Sequence, residues 1–197
     1  MPEKTVQKEP GKKPAPSKKP KPQQEVVVQI PLSELHPFPD HPFQVREDAS
    51  MQETAESVKE YGVLVPALAR PREDGGYELI AGHRRKHACE LAGLATMPVI
   101  VRDIDRDAAT IIMVDSNLQR ENILPSERAK AYKMKMEAIK RQGARTDLTS
   151  PKISAKFRSD DEVGQDAGVS GDTIRNYIAL TQLVPELQQM VDEKKIA

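Results

Sequence analysis

The sequence predicts an α/β domain followed by an all-α domain built around a helix-turn-helix, in a chain of 197 residues. Three observations carry that expectation. From Val26 to about Leu124, short apolar runs alternate with stretches of helical periodicity. Within them, the turn Ala81-Gly82-His83-Arg84-Arg85-Lys86-His87 leaves an apolar run and opens a helix, as a strand-to-helix connection does. After Leu124 the strand signals stop, and helix starts at Pro125, Ser159, Ser170 and Pro185 follow one another.

Composition narrows the class. The chain is 38% hydrophobic and 4% aromatic with no Trp, so its core is expected to rest on Val, Ile, Leu, Ala and Met. Thirty basic and thirty acidic residues cancel. No apolar stretch approaches the about 18–20 residues that span a bilayer, and no signal peptide is evident. The single cysteine, Cys89, excludes an internal disulfide framework and offers no zinc pattern. These features read as a soluble cytoplasmic protein that does not engage membranes.

Residues 1–25 contain six Pro, seven Lys and three Glu, with Val6 the only large aliphatic side chain after Met1. Such a segment buries too little apolar surface to offset its ordering entropy and is expected to be disordered. It reads either as a solubilising tail or as a docking peptide for an acidic partner or DNA. Residues 26–124 form the expected α/β domain. Val26–Ile30 is a strand, and Leu32–Arg46 is largely irregular because of Pro37, Pro39 and Pro42. Asp48 or Ser50 caps a helix with apolar positions Met51, Ala55, Val58 and Tyr61, stopped by Gly62. Val63–Arg70 is a strand interrupted by Pro66, Tyr77–Ile80 another, Arg84–Ala92 a helix ended by Gly93, and Met97–Arg102 a strand. Asp105 or Asp107 caps a further helix, which breaks near Asn117.

Residues 125–197 form the expected helical domain. A long helix from Pro125 ends at Gly143 and buries Ala129, Tyr132, Met136 and Ile139. Its exposed face is basic, with Arg128, Lys130, Lys133, Lys135, Lys140 and Arg141 against Glu127 and Glu137. A polar connector, 144–158, leads to the capping box Ser159-Asp160-Asp161-Glu162. The helix-turn-helix covers 159–180: Gly164 is the crossing residue, Gly168 the turn, and Val169, Ile174 and Tyr177 or Ile178 lock the second helix. Ser170, Asp172, Thr173, Arg175 and Asn176 are then the candidates for base or phosphate contact, Arg and Asn being suited to bidentate base reading. Because 156–197 hold five basic and eight acidic side chains, phosphate affinity would have to come from Lys133, Lys140 and Arg141 and the connector. The pattern ends at Ala197 just after a charged cluster, as in a chain truncated at its C-terminus.

The turn at Gly82 collects free backbone N–H groups, and Arg84 and Arg85 add fixed positive charge, a combination suited to a polyphosphate. Alone it is a weak signal. It is strengthened by Asp115-Ser116-Asn117-Leu118-Gln119-Arg120-Glu121-Asn122, a polar cluster at a helix break, where side chains serve either a ligand or a cap.

Three blocks carry a family resemblance: Ser57-Val58-Lys59-Glu60-Tyr61-Gly62-Val63-Leu64-Val65-Pro66, Ala81-Gly82-His83-Arg84-Arg85-Lys86-His87-Ala88, and Ser116-Asn117-Leu118-Gln119-Arg120-Glu121-Asn122-Ile123-Leu124-Pro125-Ser126-Glu127. With the helix-turn-helix that follows, the chain from about Val26 resembles the ParB family of chromosome- and plasmid-segregation proteins. That resemblance implies a sulfiredoxin-like CTP-binding α/β domain, a helical DNA-binding domain, and usually a C-terminal dimerisation domain, which is expected to be missing from these residues. It implies binding to a palindromic centromere-like duplex, and CTP with Mg2+ used to close a homodimer into a sliding clamp. A ParA-type ATPase is the implied partner, and the implied location is the cytoplasm, on the nucleoid or a plasmid.

Carried over by motif, Gly82, His83, Arg84 and Arg85 hold the triphosphate, with Asn117, Gln119 and Arg120 beside it. Gln44 and Arg46 approach from the irregular segment, and Ser57 and the Gly62–Leu64 backbone line the base and sugar. Three departures stand out. His83 and Ser116 occupy positions where the family usually has Glu, and His87 one where it commonly has Arg. Asn117 remains as one neutral oxygen ligand for Mg2+, so nucleotide binding is expected with at most weak CTP hydrolysis. His83 is not expected to bind metal, because no second His or Cys sits at ligand spacing. Two alternatives remain: a helix-turn-helix transcription regulator that uses no nucleotide, and a sulfiredoxin-fold phosphotransferase using His83 or Glu78 as base. Sulfiredoxin itself needs a reactive Cys where His83 stands, and Cys89 reads as packed within the helix. A membrane-bound nucleoid-occlusion relative would need an amphipathic N-terminal helix, which the Pro/Lys segment cannot form.

Overall fold

The computed structural model describes residues 25–120, 122–147 and 159–196. The expected tail (1–24) and most of the polar connector (148–158) lie outside the described residues. Among those described, no helix is long and apolar enough to cross a membrane.

The first half is a mixed five-stranded sheet with helices. Its strands are β1 (Val27–Pro31), β2 (Leu35–Pro37), β3 (Ala67–Pro71), β4 (Tyr77–Ala81) and β5 (Thr96–Val101), in the order β1-β5-β3-β4-β2. β1 runs antiparallel to β5, β5 parallel to β3, β3 antiparallel to β4, and β4 parallel to β2. Two features correct the sequence expectation. Leu32–Arg46 is not irregular throughout: a 3-10 turn at Leu32–Glu34 leads into β2, which pairs Leu35 with Tyr77. The Val63 strand begins only at Ala67, because Pro66 lacks the N–H that a ladder needs.

Local chemistry sets the helix ends. Helix α1 (Ala49–Tyr61) starts at Asp48, whose carboxylate accepts from the Met51 N–H at 2.9 Å, and stops at Gly62 with φ of 72°. Helix α2 (His83–Leu91) follows Gly82, and α3 (Arg106–Leu118) is capped by Asp105. One core joins Ile30, Leu35, Met51, Leu79, Met97 and Val99 beneath α1 and α2.

The second half is helical: α4 (Pro125–Asp147), α5 (Ser159–Ala167), α6 (Gly171–Leu180) and α7 (Pro185–Asp192). Helix α4 runs four residues past Gly143, which causes no break: a mid-helix glycine costs only about 1 kcal/mol. Helix α4 also joins the halves. Ala131 packs with Phe38, Phe43, Ile80 and Met113, while Tyr132 packs with Val163 and Ile174. The basic face of α4 is smaller than its composition suggests. Lys135 is buried, donating to Asp115 of α3 at 2.6 Å and Asp166 of α5 at 2.8 Å, and Glu127 is buried as well. Where α5 approaches the next helix, a Cβ on Gly164 would lie 2.6 Å from the Val169 carbonyl, so the close approach needs glycine. Val169 itself is 37% exposed and does not lock α6; Val163 and Ile174, both fully buried, do.

Candidate functional site

The site forms where α2 meets the irregular 38–48 segment and the link between α3 and α4. Gly82 has φ of 111°, a region open to glycine, and a Cβ there would meet the Ala67 Cβ at 2.8 Å. No side chain caps the helix start that follows, so the first N–H groups of α2 have no partner from a capping residue. A cleft of about 410 Å³ opens beside it, lined by Phe43, Gln44, Arg46, Asp48, Ser50, Arg84, Arg120, Asn122, Ile123 and Glu127. Four residues expected from sequence, Gln44, Arg46, Arg84 and Arg120, therefore converge there.

Charge in the cleft is only loosely compensated. Arg84 donates to the Ser50 hydroxyl at 3.2 Å and sits 3.7 Å from Asp48. Burial, and then the nearby Arg84 charge, lower the Arg120 pKa, with Glu127 opposing them. Glu127 does structural work too: it accepts from the Gln44 N–H at 3.1 Å and the Leu124 N–H at 3.2 Å. The second contact is the return half of a capping box, with Pro125 at the first helical position. Glu127, Asp48 and Ser50 were not predicted as site residues. The Leu124-Pro125-Ser126-Glu127 spacing carried a signal for the first.

The remaining predicted residues lie around this cleft rather than in its lining. Arg85 donates to the Val65 and Pro66 carbonyls, both at 2.6 Å, and so holds the entry to β3. Asn117 is buried; its amide donates to the Met113 carbonyl at 2.8 Å, and its Oδ1 is buried with no hydrogen-bond partner among the described residues. Gln119 caps the end of α3, Ser57 is exposed on α1, and Gly62 closes that helix. His87 pairs with Glu47 at 3.3 Å. Glu78, the alternative phosphotransferase base, is buried against Arg70 at 2.5 Å, which commits its carboxylate to an ion pair. Cys89 is fully buried and its thiol pKa is raised, first by burial, consistent with packing.

His83 differs most from its sequence reading. The fold brings His41 against it, with ring centroids 3.9 Å apart, so a second imidazole is present although far away in sequence. Burial, then the charges of His41, Arg120 and Lys86, push the His83 pKa down to about 3. His83 is therefore a neutral imidazole at pH 7.

Among the DNA-contact candidates, Ser170 accepts from the Thr173 N–H at 3.2 Å as the cap of α6. Arg175 is paired with Asp160 and Asp172, and Arg141 donates to Asp107 at 2.8 Å. Lys133, Lys140 and Asn176 are exposed, and Thr173 is half-buried.

The ParB N-terminal domain family matches residues 16–118, more than half of the chain. The chain belongs to this family. It is 36% identical over 171 residues to the chromosome-partitioning protein Spo0J of Thermus thermophilus, covering 86% of this chain and 56% of that one. It is 32% identical over 170 residues to the stage 0 sporulation protein J of Bacillus subtilis, covering 86% and 54%. Among solved structures, the C-terminally truncated chromosome-partitioning protein ParB from Caulobacter crescentus, complexed to the centromeric parS site, is 27% identical with a TM-score of 0.56, covering 86% of this chain and 80% of that one. This ParB-family chain spans about half the length of the curated relatives it matches.

Proposed function

We propose that this chain is the nucleotide- and DNA-binding part of a segregation protein. Residues 26–124 bind CTP, and residues 125–197 bind a palindromic, centromere-like duplex through a helix-turn-helix over 159–180. One observation supports the first half most: Arg84 and Arg120 face the same cleft beside a glycine-led helix start that no side chain caps. Free N–H groups and two incompletely neutralised guanidiniums form an anion site whose chemistry fits a triphosphate. Arg46 and the Asn122 amide extend the lining, and Arg85, by fixing the Val65 and Pro66 carbonyls, shapes the backbone after Gly62 where the base and sugar would lie.

For Mg2+, the residues present offer little. Among the described residues no group of three or more His, Cys, Asp or Glu could hold a metal. Asn117 Oδ1, buried and without a hydrogen-bond partner among the described residues, is one neutral oxygen, but it lies beside the cleft rather than in its lining, so the nucleotide phosphates would carry most of the ion's coordination. Bound there, Mg2+ would neutralise phosphate charge. With no carboxylate at His83 or Ser116, hydrolysis is expected to be weak or absent.

The helical half supports DNA binding through the close α5–α6 crossing and the exposed Lys133, Lys140 and Asn176. Lys135 ties α3, which ends beside the cleft, to α5, giving the two halves a physical link. The homodimer gate, the ParA-type ATPase partner and the nucleoid or plasmid location follow from the family likeness.

Calorimetric titration of CTP, ATP, GTP and UTP with Mg2+, with and without a palindromic duplex, tests this reading. Selective CTP binding is expected. No nucleotide binding under either condition would leave a helix-turn-helix regulator whose basic turn is structural.

A further inference from the structure

We propose that His41 and His83 form a nitrogen-donor site for a divalent transition-metal ion of the cobalt, nickel or zinc type. The two rings are neighbours at 3.9 Å between centroids, tilted by 46°. The His41 Nδ1 lies 2.7 Å from the Phe43 carbonyl oxygen. A carbonyl only accepts, so Nδ1 carries the proton and Nε2 of the neutral ring carries a lone pair. A histidine that donates one ring nitrogen to a backbone carbonyl and frees the other is the outer-shell arrangement of metal-binding imidazoles.

The freed nitrogen has nothing to bind. The Nε2 atoms of His41 and His83 are both buried without a hydrogen-bond partner among the described residues. Buried polar atoms are rarely left so, and here two of them sit on rings in contact, where one ion could take up both. Imidazole nitrogen suits cobalt, nickel, copper and zinc, whereas Mg2+ favours oxygen.

The surroundings decide what else the ion carries. Arg120 and Lys86 act electrostatically on His83, and His83 opens α2, whose N-terminal end also disfavours a cation. Two imidazoles alone are then a weak site, and an anion on the open coordination positions strengthens it. A nucleotide phosphate in the neighbouring cleft, whose lining includes neither histidine, is the nearest such anion; its presence rests on the nucleotide reading, while the imidazole pair does not.

The test is a Co2+ titration of the full chain followed by visible absorption, with and without CTP, beside a separate calorimetric titration of CTP with Mg2+. The expected result is one nitrogen-ligated Co2+ per chain, weak alone and tightened by CTP. His41→Gln and His83→Gln should each weaken it by about tenfold or more, with unchanged circular dichroism. In case either variant misfolds, proton NMR of the wild-type chain provides a second measurement. Co2+ should shift the ring signals of His41 and His83 and spare His36. No Co2+ band under either condition, a band that survives both substitutions, or unshifted His41 and His83 rings overturns the proposal. A Co2+ band without any Mg2+-supported CTP binding would sustain the imidazole site and defeat the nucleotide reading.

Discussion

In the cleft, Arg84 and Arg120 lie near enough for one charge to lower the other's pKa, with Asp48 no closer than 3.7 Å to Arg84. In the helical half, Lys135 is 1% exposed and rests on two carboxylates, Arg175 on two more, and Arg141 on Asp107. One region leaves positive charge loosely compensated, and the other uses it to join helices. Which role a basic residue plays is decided by what the fold sets against it, not by its charge. The largest expected effect tests the structural role. Burial lowers the Lys135 pKa, but Asp115 and Asp166 outweigh it and hold the ammonium above its usual value. Asp115→Asn with Asp166→Asn strands that buried ammonium and should cost about 3–5 kcal/mol in urea unfolding. Lys135→Met should cost far less, because both half-exposed carboxylates return to water and no buried charge is left unpaired. Equal costs would mean that the lysine is not effectively buried.

The cleft should behave in the opposite way. Arg120→Ala removes a charge that Arg84 repels, so thermal stability should stay level or rise while CTP affinity falls about tenfold or more by calorimetry. A stability loss with unchanged affinity would move Arg120 into the structural class. The next effect is one of pH. The folded-state pKa of His83, about 3, lies below its ordinary value of 6.5. The unfolded chain thus takes up a proton below pH 6.5 that the folded chain refuses. The His83 contribution is fully present above pH 6.5 and is lost progressively as pH falls toward 3. In metal-free buffer, His83→Gln should flatten the decline in stability between pH 6.5 and 5, a range above most carboxylate titration. An unchanged slope would show that His83 is not shielded from water.

Local chemistry was legible in the sequence, and long-range pairing was not. Asp48, Gly62, Gly93 and Asp105 bound helices through bonds to residues three or four positions away, so spacing showed the two glycines and narrowed each cap to two candidates, Asp48 or Ser50 and Asp105 or Asp107. β2 is three residues among prolines and exists because Leu35–Pro37 pairs with Tyr77–Leu79, a contact that no local pattern carries. His41 against His83 is the same kind of contact, between residues 42 positions apart in sequence. Lys135 failed differently. The sequence puts it on the exposed basic face of α4, but it falls on the face shared by Ala131, Tyr132 and Ala138, where Asp115 and Asp166 compensate its charge. In the cleft, Arg84 and Arg120 were legible from the basic turn and the polar cluster, Gln44 and Arg46 only from motif likeness, whereas Arg85 belongs to the turn yet binds backbone.

The smallest effect asks whether the helical half can be moved toward the behaviour of the cleft. Arg175 begins in the first turns of α6, where a groove-reading side chain belongs, but Asp160 and Asp172 both hold it. Asp172 is 79% exposed, so its pair with Arg175 is worth little to stability. Its carboxylate also stands where DNA phosphates would approach. Asp172→Asn should therefore leave the unfolding midpoint nearly unchanged and strengthen binding to a palindromic duplex by about threefold at low salt, shrinking as salt is added. Fluorescence anisotropy over a salt series measures both. A weaker complex would mean that Asp172 orients Arg175 for the groove rather than competing for it, and Arg175→Ala should then reduce specific binding more than nonspecific binding.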